Sequence, residues 1–90
     1  VVDLHIEKLV DRFNHLTNAE ILQIQLSEFE KWLELAQLNH LPSMIFIHGV
    51  GKGKLKQEIH DVLKVKSGIK SFVNQYNEFY GYGATEVFFN

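Results

Sequence analysis

An aspartate and two histidines in this chain have side-chain types and positions suited to acid–base chemistry. Asp3 and His5 are two residues apart, so on an extended strand their side chains lie on the same face. His48 directly follows another apolar run, Ile45-Phe46-Ile47. A carboxylate and imidazoles can position a water molecule, transfer protons or hold a divalent cation. Asp3, His5 and His48 are therefore the candidate catalytic residues. The alternative is structural: Asp3 caps a neighbouring turn and His5 bonds to it.

The segment after His48 is rich in glycine and lysine and precedes a helix-like pattern. Glycine allows backbone N–H groups to approach a ligand closely, and a helix N-terminus adds positive potential. Such a segment suits a phosphate or another anion. The candidate anion-binding residues are Gly49, Gly51, Lys52, Gly53, Lys54 and Lys56.

The spacing of these glycines excludes two common nucleotide-binding motifs. Gly49 to Lys54 gives G-x-x-x-G-K, which is one residue shorter than a P-loop, and Leu55 stands where Ser or Thr would bind Mg²⁺. The glycines run G-x-G-x-G rather than G-x-G-x-x-G, and 90 residues are too few for a complete dinucleotide-binding fold. We therefore exclude a nucleoside triphosphatase and a dinucleotide-dependent enzyme.

Charge is unevenly distributed along the chain, although the net charge is only −2. Residues 48–70 carry six lysines against Glu58 and Asp61, a balance of +4, whereas residues 1–47 have a balance of −4. The glycine loop therefore begins a local positive patch that can attract a polyanion. A solvated, lysine-rich helix is the alternative interpretation.

Composition limits the cellular setting that we expect. The chain has no cysteine, which excludes disulfides and thiolate metal sites and fits a reducing compartment. It has neither an apolar run long enough to span a membrane nor a signal-peptide pattern. We therefore expect a cytoplasmic protein that does not contact membranes. Because the chain opens with Val1 in a strand-like run, we also expect it to be one domain of a longer protein.

Apolar periodicity predicts one α/β domain over residues 1–90 with the element order β, α, β, α, β, β. Strands are predicted at 1–5, 43–48, 69–76 and 85–89, main helices at 17–39 and 55–66, a turn or short helix at 7–14, and a loop at 77–84. A capping box formed by Thr17 and Glu20 begins the first main helix, and its apolar stripe includes Leu22, Phe29 and Leu33. The fold class is a two-layer sandwich of a four-stranded mixed sheet and two main helices, with parallel crossovers and an antiparallel last strand. His5 and His48 then lie at the carboxyl ends of parallel strands, where ligands gather in such sheets.

For most of the other aromatic and histidine side chains we predict a structural or surface position rather than a functional role. We expect Phe29 and Trp32 in the core, and His15, His40 and His60 at the surface. Four aromatic residues lie in or beside the predicted loop, and they are Tyr76, Phe79, Tyr80 and Tyr82. Packing on the sheet, contact with a partner protein and stacking on unpaired bases all remain open for them.

Three motifs in this chain resemble those of the Smr (small MutS-related) domain family. The family's H-G-x-G-x-G loop between a strand and a helix is matched by residues 48–53. Its opening L-D-L-H-G strand is similar to Val2-Asp3-Leu4-His5-Ile6, although Ile6 replaces the glycine and restricts the backbone beside His5. Its closing G-x-G-x-T-x-V turn and strand match residues 81–87. The motifs occur in the family's order and span nearly the whole chain. The resemblance implies a divergent member of the family that forms the C-terminal domain of a longer protein.

The resemblance implies DNA or RNA as partner and, as in several family members, nicking or cleavage by an endonuclease. It implies that Asp3 and His5 are catalytic and that His48, Gly49, Gly51 and Gly53 contact the phosphate backbone. Mg²⁺ or Mn²⁺ is a possible cofactor, but a single carboxylate is a poor ligand set for Mg²⁺. The alternative function is a non-catalytic module that keeps the Smr fold for contacts with another protein. Ile6 and the net negative charge favour it, whereas the positive patch and the intact loop favour nucleic acid.

Overall fold

The computed structural model describes residues 1–79 and 81–90, which form four strands and three helices in the predicted order. The elements are β1 (Val2–Asp3), α1 (Ile6–Leu9), α2 (Asn18–Leu38), β2 (Ser43–Ile47), α3 (Lys54–Val65), β3 (Ile69–Asn77) and β4 (Gly81–Phe89). The predicted α/β class with two main helices is confirmed, and α1 begins one residue before the range 7–14, where a turn or short helix was predicted.

The four strands form one mixed sheet in the order β1-β2-β4-β3. β1 runs parallel to β2, and β4 is antiparallel to both β2 and β3. Asp3 lies opposite Ile47, and Ile47 lies opposite Ala84, so the ends of β1 and β2 meet the start of β4. This register brings the residues that follow Asp3 and Ile47 to one edge of the sheet.

The hairpin between β3 and β4 is longer than predicted. Residues 77–84 were expected to form a loop, but β3 reaches Asn77 and β4 begins at Gly81. Asn77 pairs with Gly81, and an irregularity between Gln75 and Asn77 shifts the register. The two glycines of this segment suggested a loop, yet β4 pairs with β3 from Gly81 onward and also with β2 from Ala84 onward, and this pairing offsets the weak strand preference of glycine. Tyr80 lies outside the described residues.

Helix α2 begins at the predicted capping box. The Thr17 hydroxyl accepts a hydrogen bond from the Glu20 N–H at 3.1 Å, and the Glu20 carboxylate accepts one from the Thr17 N–H at 2.8 Å. At the other end, the Asn39 amide donates to the Leu35 carbonyl, and His40 adopts a left-handed φ of 55°. Both boundaries are therefore set by local side-chain chemistry.

The core joins α2 and α3 to one face of the sheet. Phe29 and Phe46 are fully buried and meet edge to face, with ring centroids 4.8 Å apart. Ile59 from α3 and Val87 from β4 complete the same cluster. Trp32 is an exception to the prediction, because it is 36% exposed and its indole N–H donates to Glu28. It lies beside the buried stripe of α2 rather than within it.

No helix within the described residues is long and apolar enough to span a bilayer.

Candidate functional site

Asp3, the last residue of β1, and His5 form a hydrogen-bonded pair. One Asp3 carboxylate oxygen, Oδ1, accepts bonds from the His5 backbone N–H at 3.0 Å and from His5 Nδ1 at 2.7 Å. The pair remains accessible, with side-chain exposures of 37% for His5 and 23% for Asp3. With the hydrogen on Nδ1, a neutral ring offers Nε2 as a proton acceptor. Asp3 therefore caps the turn at His5, as the structural alternative predicted, and it also orients the His5 ring as an acid–base pair requires.

Gly49 lies directly against the outer nitrogen of this pair. A Cβ placed on Gly49 would be 3.1 Å from His5 Nε2, and Gly49 has a left-handed φ of 82°. Both features favour glycine at this position. The structure thus brings Asp3, His5 and the first glycine of the loop together.

The glycine loop is attached to β4 and opens toward the start of α3. The Gly83 carbonyl accepts hydrogen bonds from the N–H groups of His48 and Gly49, at 2.8 and 3.0 Å. Gly53 is the N-cap of α3 with a φ of 79°, and no side chain caps the helix there. The first N–H groups of α3 therefore remain suited to binding an anion.

A cavity of about 210 Å³ lies over this loop. It is lined by residues 48–56 and by Gln25, a residue that the sequence analysis did not select. The Gln25 amide donates to the Leu4 carbonyl at 2.9 Å and so joins α2 to the end of β1. Its signal in the sequence was a polar side chain between Leu22 and Phe29, inside the apolar stripe of α2.

The three candidate lysines have different surroundings. Lys52 is exposed on the loop itself. Lys54 pairs with Glu58 one turn along α3 at 3.1 Å, in an exposed contact that adds little to stability. Lys56 is half-buried. Its Nζ donates to the side-chain oxygen of Asn74 at 3.2 Å, with the Asn74 amide oriented so that its nitrogen donates to the Ala84 carbonyl. Positive charge thus surrounds the cavity.

His48 does not join Asp3 and His5, because its side chain points to the other side of the sheet. It is only 8% exposed. Its Nδ1 donates to the Gly49 carbonyl at 2.9 Å, and its Nε2 accepts from the Thr85 hydroxyl at 2.8 Å. Asp3 pairs with Ile47, so the next residue faces the opposite way by the alternation of a strand. The expected three-residue cluster is therefore an accessible pair and a separate buried histidine.

His60 is half-buried, which corrects the expectation that it lies at the surface. Its Nε2 is 3.0 Å from the hydroxyl of Thr85, which is fully buried, and its ring packs on Phe72 with centroids 4.9 Å apart. His15 and His40 are exposed, as predicted. A signal for His60 was present in the sequence, because Lys56, His60 and the buried Leu63 share one side of α3 at helical spacing.

Burial lowers the pKa of both inner histidines. For His48, burial is the largest cause; a hydrogen bond with the Gly49 carbonyl opposes it, and the charges of Lys56 and His5 add to it. For His60, burial again comes first, followed by His48 and the lysine charges. Both rings are therefore neutral at pH 7.

This burial predicts a stability that falls on mild acidification. As the pH drops below about 6.5, the ordinary pKa of histidine, His48 and His60 bind protons in the unfolded chain but remain neutral in the folded protein. The unfolded state is then favoured, so the free energy of unfolding decreases until the lowered folded pKa values are passed. Urea unfolding between about pH 7 and about pH 5 measures this slope. We expect the free energy of unfolding to change less with pH in His60→Gln than in the wild-type protein. His15→Gln replaces an exposed histidine and keeps both buried rings, so it is the control. Equal slopes in all three proteins would contradict a contribution from His60.

The donor set does not fit a metal ion held by the protein. The described residues contain no group of three or more His, Cys, Asp or Glu side chains that could bind one. Asp3 offers a single carboxylate, and one of its oxygens already accepts two hydrogen bonds from His5. We therefore derive no chemical step through Mg²⁺ or Mn²⁺.

The aromatic residues of the β3–β4 hairpin remain largely exposed. Tyr76 and Tyr82 meet edge to face with centroids 5.3 Å apart, and they are 64% and 63% exposed. Phe79 is 81% exposed. Packing onto the sheet, one of the three interpretations of this group, is therefore not observed for the two tyrosines.

Comparison with known proteins identifies the family. The Smr domain model matches residues 16–90. This chain belongs to the Smr domain family. The match includes the glycine loop, α3 and the β3–β4 hairpin, whereas Asp3 and His5 precede it. The predicted resemblance to the Smr family is thus confirmed, and two of its three motifs, the glycine loop and the closing turn and strand, lie within the matched residues.

The Smr domain also matches parts of larger bacterial proteins. It is 49% identical over 43 residues to Endonuclease MutS2 of Bacillus cytotoxicus, covering 48% of this chain, and 43% identical over 47 residues to Endonuclease MutS2 of Bacillus thuringiensis, covering 52%. The chain spans about 6% of the length of these relatives.

A solved structure extends the likeness to β1. The crystal structure of the Smr domain of Thermus thermophilus MutS2 superposes with a TM-score of 0.74 and 28% sequence identity, covering 99% of this chain and 95% of the other. The whole described fold, including the strand that carries Asp3, therefore has the Smr architecture.

Proposed function

We propose that this Smr domain binds nucleic acid at the glycine loop and cleaves its phosphodiester backbone beside the loop. The observation that carries this proposal is the position of Gly49, which lies against His5 Nε2 and also begins the basic cavity. A phosphate held by the loop would therefore be next to an oriented Asp–His pair. The names of the MutS2 relatives, which call them endonucleases, agree with this chemistry.

The proposed phosphate site combines three kinds of donor. Glycine N–H groups, the uncapped start of α3 and the side chains of Lys52, Lys54 and Lys56 all border the cavity. Backbone donors bind phosphate oxygens without reading bases, and lysines add attraction that depends on salt. The site would therefore bind the backbone of DNA or RNA with little sequence preference.

The proposed reactive group is the Asp3–His5 pair. Asp3 holds the hydrogen of the neutral ring on Nδ1, so Nε2 can take the proton of a water or hydroxyl whose oxygen forms a bond to phosphorus. The bond from phosphorus to the leaving oxygen breaks, and that oxygen takes a proton from solvent. Asp3 then stabilises the imidazolium that forms, and the loop donors stabilise charge on the phosphate oxygens. His48 is proposed to position the loop rather than to touch the substrate, because its two ring nitrogens are already bonded inside the protein.

Salt dependence tests the binding part of this proposal. Lys52→Ala combined with Lys54→Ala is expected to lower the slope of log Kd against log salt concentration by roughly 1 to 2, because each lost phosphate contact releases about one counterion fewer. Fluorescence anisotropy with a labelled oligonucleotide measures this slope. Separate single-stranded and duplex probes, of both DNA and RNA, define the preferred class.

The chain offers a matched control for this experiment. Lys64→Ala combined with Lys70→Ala also removes two positive charges, and it also breaks an ion pair on α3, Lys64–Asp61 at 3.9 Å in place of Lys54–Glu58 at 3.1 Å. We expect the control to retain most of the wild-type slope. Equal losses in the two double variants would show attraction by overall charge, and an absence of wild-type binding at low salt would refute the proposed interface.

One observation favours the alternative function, a protein-interaction module. Trp32, Leu35 and Leu38 are spaced three residues apart on α2 and are 36%, 38% and 74% exposed. Exposed apolar side chains grouped in this way are typical of a surface that contacts another protein or domain. If the wild-type domain binds no nucleic acid, this face of α2 becomes the functional surface to examine.

A further inference from the structure

The buried hydrogen bonds around Thr85 form one continuous chain from α3 to the glycine loop. His60 Nε2 lies 3.0 Å from Thr85 Oγ1, Thr85 Oγ1 lies 2.8 Å from His48 Nε2, and His48 Nδ1 lies 2.9 Å from the Gly49 carbonyl. These four residues come from α3, β4 and the loop after β2. Thr85 is fully buried and His48 is 8% exposed, so water does not compete readily for the central bonds.

The Gly49 carbonyl fixes the direction of every bond in this chain. A carbonyl only accepts, so the hydrogen of a neutral His48 ring is on Nδ1 and Nε2 is bare. Nε2 therefore accepts the single hydroxyl hydrogen of Thr85. The Thr85 oxygen then accepts from His60, whose hydrogen must be on Nε2. The lowered pKa of each histidine favours the neutral rings that this arrangement needs.

This hydrogen-bond chain ends at Gly49, the residue that lies between the proposed phosphate site and the Asp3–His5 pair. The Gly49 carbonyl is held by His48, and the Gly49 N–H donates to the Gly83 carbonyl at 3.0 Å. Gly49 is therefore fixed on both sides while its φ is 82° and its Cα faces His5 Nε2. A change in the orientation of this peptide would move the loop relative to His5.

We propose that His60 and Thr85 are positioning residues, which act through His48 to hold the Gly49 peptide so that the glycine loop presents a phosphate to His5. The proposal rests on the proposed function for the identity of the bound group. The loop motif alone does not reveal these residues, since Thr85 is 37 positions from His48 and His60 is 25 positions from Thr85.

A pair of substitutions at Thr85 separates positioning from packing. Thr85→Val keeps the shape but removes the hydroxyl, whereas Thr85→Ser keeps the hydroxyl but removes a buried methyl group. If Thr85 positions the loop, Val weakens oligonucleotide binding roughly fivefold or more, the effect of losing one or two buried hydrogen bonds, and Ser restores most of the affinity. If Thr85 only fills space, Val binds at least as well as Ser, and the proposal is overturned.

A second pair at His60 repeats the logic on α3. His60→Gln retains an amide N–H near the position of Nε2, whereas His60→Leu has no donor. We expect the glutamine variant to bind the labelled oligonucleotide more tightly than the leucine variant at equal salt. Equal affinities would exclude a role for the hydrogen bond at this end of the chain.

Nuclear magnetic resonance without nucleic acid tests the same chain directly. Imidazole nitrogen spectra of the wild-type protein should show hydrogen on His48 Nδ1 and on His60 Nε2. The Gly49 amide should shift and exchange faster in Thr85→Val than in Thr85→Ser. Hydrogen on His48 Nε2, or a Gly49 amide that is the same in both Thr85 variants, would overturn the proposal.

These measurements distinguish failure of the inference from failure of the proposed function. If the wild-type domain binds no oligonucleotide at low salt, the proposed function is refuted, and with it the binding of a nucleic-acid phosphate by the glycine loop. The nuclear magnetic resonance spectra then still decide whether the hydrogen bonds through Thr85 and His48 hold the Gly49 peptide. If the wild-type domain binds and the Val and Ser variants bind equally, the positioning role alone is refuted.

Discussion

Replacement of Gly49 by alanine is expected to weaken nucleic-acid binding by at least roughly tenfold and to lower the free energy of unfolding by about 2 kcal/mol. The left-handed φ of 82° disfavours any residue with a Cβ, and the new Cβ would lie 3.1 Å from His5 Nε2. The backbone or the His5 ring must therefore move, and either movement separates the loop from the reactive pair. Urea unfolding and anisotropy measure the two effects.

Gly53 supplies the matched control for this substitution. It has a nearly equal φ of 79°, but a Cβ there would meet nothing within 4 Å. Gly53→Ala therefore reports the backbone strain without the contact with His5. The additional loss in Gly49→Ala should shrink when His5 is also replaced by alanine, as measured in a double-mutant cycle. If Gly49→Ala and Gly53→Ala have the same effect on stability and binding, the contact with His5 has no consequence.

Replacement of His5 by alanine is expected to reduce nucleic-acid cleavage by roughly 10² to 10⁴, the usual contribution of a positioned acid or base. Binding should change much less, because the phosphate donors belong to the loop and to α3. Asp3→Asn keeps an oxygen for the two hydrogen bonds from His5 but removes the charge that stabilises the imidazolium. We expect it to cleave more slowly than wild type and faster than His5→Ala. Cleavage of labelled DNA and RNA under single-turnover conditions measures these rates.

His15→Ala is the control for this series, since His15 is an exposed histidine outside the site. It should cleave at the wild-type rate. Cleavage that persists in His5→Ala would remove the Asp3–His5 pair from the mechanism. A wild-type domain that binds nucleic acid and cuts neither DNA nor RNA would leave a binding module, with the pair in a structural role.

Much of the fold was predictable because local patterns and the core require the same elements. The stripe of apolar residues through Phe29 and Leu33 and the capping box at Thr17 defined α2, and both are present in the structure. The hairpin was predicted less well. Its glycines usually break strands, but β4 pairs with β3 from Gly81 onward, where Gly81 has a left-handed φ of 59°, and β2 joins at Ala84. Strand pairing is a long-range property, so a local pattern underestimates it.

The element order, the glycine loop and the position of His5 and His48 after parallel strands were all predictable from local sequence patterns. These features depend on residues close together in the chain. The folded arrangement was needed to learn that His5, paired with Asp3, faces Gly49, whereas His48 turns inward to Thr85, which also contacts His60. The physical reason is strand register: a side chain one position further along faces the other side of the sheet, and its partners there come from distant elements. The three candidate residues are therefore divided between an accessible pair and a buried hydrogen-bond chain.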